Sequence, residues 1–167
     1  MGVDSSRTGE WKMSGPQIGD AIPAVQFLDA DGAAIDLAAL KSAPLVVYFY
    51  PKADTPGCTT EAQDFTRLAP EFAKLNAQVL AVSRDAPAKL CKFRDKYGLT
   101  VRLASDEDGA VCEAFGTWVE KQNYGRTYMG IERSTFLFGA DGKLAKEWRK
   151  VRVKGHADAV LEAAKAL

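Results

Sequence analysis

The chain has 167 residues, with 22 basic and 22 acidic side chains, three cysteines and one histidine, His156. That length predicts one domain able to bury a core without disulfide staples, and 47% apolar with 26% charged residues predicts a soluble globular chain rather than a disordered or fibrous one. Zero net charge leaves no electrostatic footprint for nucleic acid or an anionic membrane; a lone histidine excludes a multi-histidine metal site, and cysteines 33 and 21 residues apart contain no CxxC, so a zinc ribbon or dithiol motif is excluded.

Residues 1–16 are predicted to be a disordered leader, with Met13 as a candidate natural start; the polar stretch MGVDSSRTGEWKM carries no apolar h-region of a signal peptide. Residues 17–167 are predicted to form a single domain, and no apolar run approaches the roughly 20 residues of a membrane span. An odd cysteine count without a signal peptide points to the reducing cytoplasm, where cysteines that matter are reactive. Val25–Leu28 and Ile35–Leu37 flank Asp29-Ala30-Asp31-Gly32 and predict an opening hairpin. Leu45–Tyr50 (LVVYFY) is continuously apolar and predicts a central strand covered on both faces, ended by Pro51. Gln78–Val82 repeats that pattern, Val101–Ala104 is a shorter strand, and Ser134–Phe138 with Leu144–Trp148 flank Asp141-Gly142 as a second hairpin. Helices are predicted at about 58–75, 87–97, 108–115 and 156–166. The alternation predicts an α/β fold, a mixed central β-sheet flanked by helices with an N-terminal β-hairpin.

Chemistry concentrates in Pro51-Lys52-Ala53-Asp54-Thr55-Pro56-Gly57-Cys58, which leads from a buried strand into a helix. Thr55 suits the N-cap and Pro56 the first helical position, where a missing N–H costs nothing. Cys58 then falls in the first turn, where free N–H groups and the positive end of the helix dipole stabilise a thiolate. An ordinary thiol is only about 3% ionised at pH 7, so lowering its pKa to roughly 6 raises the reactive fraction about thirtyfold at most. That gain is small beside enzymatic rate enhancements, so other groups must act on the transition state. Cys58, Ala62, Phe65, Ala69 and Phe72 share one stripe at 100° per residue, which turns Cys58 toward the core side. Locally, a helix start with a small core cysteine reads equally well.

The segment YFYPKADTPGCTTEAQDF resembles the active-site segment of the peroxiredoxins, in particular the bacterioferritin-comigratory (Q-type) group, whose P-x-x-x-T-x-x-C pattern is met by Pro51, Thr55 and Cys58. The resemblance continues through VLAVSRD (79–85), SDEDGAVCEAFG (105–116) and GIERSTFLFGADGK (130–143), and covers nearly everything after about Ile18. It implies a thioredoxin-like fold and reduction of hydrogen peroxide and organic hydroperoxides, with no cofactor and no metal. By the same likeness Cys58 is the peroxidatic nucleophile, Thr55 hydrogen-bonds the peroxide, Pro51 shields the pocket, and Arg133 stabilises thiolate and developing charge, as a non-titrating fork of donors can. Without the likeness, Arg133 reads as a surface charge beside a strand.

The most familiar arrangement of the group places a resolving cysteine five residues after the first, where this chain has Gln63. Cys91, about 120° from the apolar stripe of Leu90, Phe93 and Tyr97, sits at a polar boundary, about one turn before the place some members use. It either resolves Cys58 through an intramolecular disulfide or is incidental in a one-cysteine enzyme. Cys112, flanked by Val111 and Phe115, reads as core packing. Tyr48 and Trp118 read as packing, and His156 as a surface or capping residue. The implied partners are a peroxide and thioredoxin or a similar dithiol reductant, acting on a monomer. Two rivals on the same fold are a thioredoxin-type disulfide exchanger, which lacks its second cysteine here, and a non-enzymatic holdase, which leaves Thr55, Cys58 and Arg133 unexplained.

Overall fold

The computed structural model describes residues 15–167, so residues 1–14 of the expected leader lie outside the described residues. In chain order the strands are β1 (Gln26–Asp29), β2 (Ala34–Asp36), β3 (Leu45–Phe49), β4 (Gln78–Ser83), β5 (Arg102–Ser105), β6 (Trp118–Asn123), β7 (Arg126–Ile131), β8 (Ser134–Phe138) and β9 (Leu144–Trp148). The helices are α1 (Pro56–Arg67), α2 (Ala69–Lys74), α3 (Pro87–Tyr97), α4 (Ala110–Phe115) and α5 (His156–Lys165), with a 3-10 turn at Leu37–Leu40.

Seven strands form one sheet in the order β2-β1-β5-β4-β3-β8-β9. Its centre, β3, β4 and β5, is parallel, and the antiparallel pairs β1–β2 and β8–β9 close its two edges. Hairpins at both ends and a parallel middle give the mixed sheet flanked by helices that the alternation of periods predicted, in the thioredoxin-like arrangement that the resemblance implied. Every residue of β3 is buried. Because side chains alternate across a strand, Val46 and Tyr48 face α1, α2, α3 and α5, joining Phe65, Phe72, Phe93 and Val160. Val47 and Phe49 face the other way, onto Phe115 of α4 with Leu80 and Phe136.

Two elements differ from the sequence expectation. The helix expected at about 58–75 is two helices, broken at Leu68 (φ −90°, ψ 0°). Pro70 causes the break: it has no N–H to continue the ladder, and its ring crowds the carbonyl four residues earlier. The second difference is β6–β7, an antiparallel hairpin separate from the main sheet that composition did not signal. Most of its side chains are exposed, so no buried face imposes an apolar alternation. Tyr124 (φ 52°) and Gly125 (φ 76°) form its turn, the two consecutive left-handed residues that a tight hairpin requires.

Candidate active site

Parallel strands direct the site. β3 ends at Phe49, the backbone N–H of Tyr50 still donates to Val82 of β4 (3.0 Å), and exposed Pro51 then turns the chain out of the sheet. The loop 51–55 is held from outside itself. Ala53 N–H donates to Asp85 Oδ2 (2.8 Å), which also accepts from Ser83 Oγ (2.8 Å). Asp54 takes a left-handed backbone (φ 62°), and its carboxylate accepts from Lys96 Nζ (2.9 Å) and Tyr97 Oη (2.5 Å) on α3. Those two bonds hold the Asp54 carboxyl below the usual carboxylate range, the tyrosine contributing most.

Thr55 occupies the N-cap position of α1 with extended backbone, but its side chain makes no cap bond. Instead its hydroxyl donates to the carbonyl of Lys52 (2.8 Å), closing the loop on itself and leaving oxygen lone pairs free. Pro56 is the first helical residue, so Cys58 lies in the first turn, where no preceding carbonyl of the helix reaches an N–H. Cys58 is 1% exposed and packs among the residues on the helical face of the sheet.

Arg133 reaches this cysteine from 75 residues away. Ser134 pairs with Phe49 in the β3–β8 register, so the residue entering β8 lies beside the residues leaving β3. Its Nη2 donates to Cys58 Sγ (3.3 Å) and its Nη1 to Glu61 Oε1 (2.5 Å). The guanidinium passes close over the helix start: a Cβ on Gly57 would stand 3.4 Å from Nη2. The backbone carrying it is braced too. Glu132 accepts from Arg149 Nε (2.6 Å) and Ser134 Oγ (3.1 Å), and Arg149 also donates to the carbonyl of Gly116 (2.6 Å).

Glu61 is absent from the sequence expectations, although its place three residues after Cys58 and four before Phe65 puts it at the border of their apolar stripe. It is 1% exposed, and its Oε2 has no partner among the described residues. Burial pushes its carboxyl up to about 7, against the pull of Arg133. Tyr48, expected to pack, does stack on Phe65, at 4.6 Å between centroids. Its buried hydroxyl is also unpartnered, and burial, with the charges of Glu61 and Cys58 nearby, raises its proton affinity. Half-buried Lys121 on β6 feels burial and the repulsion of Arg133, which favour its neutral form, and the opposing field of Cys58. Its inward placement on a polar hairpin had no sequence signal.

His156 is a correction. Expected at the surface or as a cap, it is 6% exposed, and its Nε2 lies 2.7 Å from Thr135 Oγ1. It opens α5, but the helix folds back on the sheet and turns the ring edge-on to Phe65 and Trp148. Burial, with the charge of Arg133, pushes it down to about 4.

Cys91 is half-buried on α3, on the same side of the sheet as Cys58. Arg94 Nη2 donates to its Sγ (3.2 Å), and the thiol approaches Asp95 Oδ2 (3.8 Å). Cys112 is fully buried, its thiol pushed well up by burial and by the Asp106 carboxylate. Trp118 packs under the guanidinium of Arg84, 4.3 Å above its ring. Among the described residues no group of three or more His, Cys, Asp or Glu is placed to hold a metal ion, and no helix is long and apolar enough to cross a membrane.

A buried first-turn cysteine beside an arginine, with no second cysteine in the same turn, makes a candidate thiol centre. Comparison with known proteins gives the family. The AhpC/TSA family matches residues 18–147. A peroxiredoxin Bcp of Xanthomonas campestris is 54% identical over 122 residues, 73% of this chain and 76% of that protein. The peroxiredoxin Bcp of Bacillus subtilis is 44% identical over 149 residues, 89% of this chain and 95% of that protein. Among solved structures, a peroxiredoxin Q of Xanthomonas campestris superposes with a TM-score of 0.84 at 46% identity, over 90% of this chain and 99% of that one. A Xanthomonas campestris bacterioferritin comigratory protein, described for its alkyl peroxide reduction activity, gives 0.82 at 47% identity over 88% and 98%. This chain belongs to the AhpC/TSA family, within its bacterioferritin-comigratory (Q-type) peroxiredoxins, and is a thiol-dependent peroxidase.

Proposed function

We propose that Cys58 is the nucleophile of this peroxidase and that Thr55, Arg133 and Pro51 complete its site. The observation that carries the reading is the Arg133 Nη2 donor 3.3 Å from a buried first-turn Sγ. The thiolate attacks one oxygen of the peroxide, the O–O bond breaks, and the leaving alkoxide or hydroxide takes up a proton; Cys58 becomes a sulfenic acid. Negative charge moves from sulfur to the leaving oxygen, so donors that served the thiolate serve the transition state as the charge shifts. Arg133 and the N–H groups of Gly57 and Cys58 supply such donors. The hydroxyl of Thr55, already donating to Lys52, accepts from the peroxide O–H and orients it. Pro51 lines the mouth of the site.

The sulfenic acid then condenses with the Cys91 thiol, forming the Cys58–Cys91 disulfide and releasing water. A dithiol reductant of the thioredoxin type restores both thiols by exchange. Partial exposure of Cys91 and its place on the same side of the sheet support this over external resolution of a one-cysteine enzyme. The working unit is a single domain, monomeric and cytoplasmic, and both hydrogen peroxide and organic hydroperoxides are its substrates.

The test is peroxide consumption with a thiol donor. Wild type turns over and Cys58→Ser loses turnover; full activity in that variant removes the mechanism. Mass spectrometry after one equivalent of peroxide should find a Cys58–Cys91 peptide in a monomer. Unchanged thioredoxin-linked turnover in Cys91→Ser would leave the one-cysteine route.

A further inference from the structure

We propose that Asp54, Lys96 and Tyr97 form a latch that positions the Cys58 loop against the Cys91 helix and sets how fast oxidised Cys58 is delivered to Cys91. The proposal rests on the reading of Cys91 as the resolving thiol.

Three observations converge on Asp54. It is the one residue of loop 51–55 with a left-handed backbone (φ 62°), a conformation that aspartate tolerates better than most side chains but still at some cost. Its two carboxylate oxygens take different donors, Oδ2 from Lys96 Nζ (2.9 Å) and Oδ1 from Tyr97 Oη (2.5 Å). Both donors sit in the last turn of α3, the helix that carries Cys91 nearer its start. The ring of Tyr97 also packs edge-on against buried Phe93, so its hydroxyl is presented by a fixed wall.

The latch therefore ties together the two pieces of chain that must rearrange. Cys58 is buried against Arg133, while the Cys91 thiol is engaged by Arg94 on the flank of α3. A disulfide requires their Cα atoms within about 4.4–6.8 Å and their Cβ vectors convergent. Reaching that geometry unwinds the first turns of α1, and the loop that feeds α1 cannot leave while Asp54 is pinned. Asp85 holds the neighbouring residue, Ala53, but through a backbone N–H. Asp54 is pinned through its side chain alone, so a substitution there opens the latch without touching the thiols, Thr55 or Arg133. With the latch closed, Cys58 stays in the peroxide-reactive arrangement; with it open, the sulfenic acid reaches Cys91. A closed latch also lengthens the time in which a second peroxide oxidises the sulfenic to the sulfinic acid.

The test is a timed acid quench after one equivalent of hydrogen peroxide, with mass spectrometry following Cys58 sulfenic acid into the Cys58–Cys91 peptide. Tyr97→Phe removes one donor and keeps the ring; Asp54→Asn removes the charge and keeps tolerance of the left-handed backbone. Each variant should form the disulfide about three- to tenfold faster than wild type, and at excess peroxide each should accumulate less sulfinic acid. A substitution that merely loosens the fold would also slow attack on the peroxide, so faster disulfide formation with an unchanged rate of Cys58 oxidation is the distinguishing sign. Should a variant fail to fold, Lys96→Met, at an exposed position, carries the same comparison. Wild-type rates and unchanged sulfinic yields in these variants overturn the latch. A wild type that forms no Cys58–Cys91 peptide overturns the reading of Cys91, and the latch with it.

Discussion

At the scale of single residues, the site depends on one guanidinium shared between a sulfur and a buried carboxylate. Glu61 and His156 lie on either side of Arg133 electrostatically, and burial shifts them in opposite directions. The folded state raises Glu61 to about 7 from 4.5, so its contribution to stability is present below about pH 4.5 and is lost as pH rises through 7. The folded state lowers His156 to about 4 from 6.5, so its contribution is present above about pH 6.5 and is lost as pH falls through 4. Between pH 4.5 and 6.5 the two slopes oppose each other, each at most about 1.4 kcal/mol per pH unit. Removing either group should therefore tilt the urea midpoint relative to wild type across that window. His156→Asn should become more stable on acidification and Glu61→Gln less stable; parallel curves for all three proteins would refute this pairing. How much of the site was legible depends on the residue. The first-turn position of Cys58 follows from Thr55-Pro56, a purely local signal. Arg133 was visible only through resemblance, because nothing near it in the chain reveals that β8 pairs with β3. Glu61 had a local signal, since three residues after Cys58 and four before Phe65 it borders their apolar stripe, but an acid at the edge of a stripe does not by itself disclose a buried arginine partner.

At the scale of elements, helix ends carry much of the specificity. Asp106 is buried ahead of α4, and its carboxylate accepts from the backbone N–H of Val111 (3.0 Å) and of Cys112 (2.7 Å). Gly109 precedes the helix with a left-handed backbone (φ 84°), and Arg84 crowds the place where its Cβ would stand. Asp106 thus supplies from a distance the acceptors that a side-chain cap supplies elsewhere. Asp106→Ala should destabilise the protein by about 2 kcal/mol, because two buried donors lose a charged acceptor; a thermal melt within 1 °C of wild type would contradict it. The strands of the central sheet were legible because a fully buried strand needs an unbroken apolar run, as in LVVYF. The break at Leu68 was not read, although Pro70 announces it, because the apolar stripe runs through both helices in nearly the same phase. The β6–β7 hairpin escaped for the opposite reason: its exposure leaves no apolar period to detect, and only the turn at Tyr124-Gly125 marks it.

At the scale of the whole molecule, the sheet separates two apolar layers that share no residue. One layer carries Cys58 and packs around α1, α3 and α5; the other holds Cys112 and packs around α4. Strand–helix alternation made the layered α/β plan legible from sequence, while the distribution of thiols between layers required the strand order. The proposed opening of α1 to join Cys58 and Cys91 would disturb only the first layer and leave the second intact. Cys112 then becomes a built-in gauge of that separation. Buried at 0% exposure, with its proton held more tightly than usual, it is silent to alkylating reagents as long as the far layer stays closed. In a urea series Cys91 should label in native buffer, whereas labelling of Cys112 should coincide with loss of circular dichroism. Early labelling of Cys112 during turnover would mean that the two layers breathe together. Late labelling would make this thiol a clock that ticks only when the entire chain comes apart.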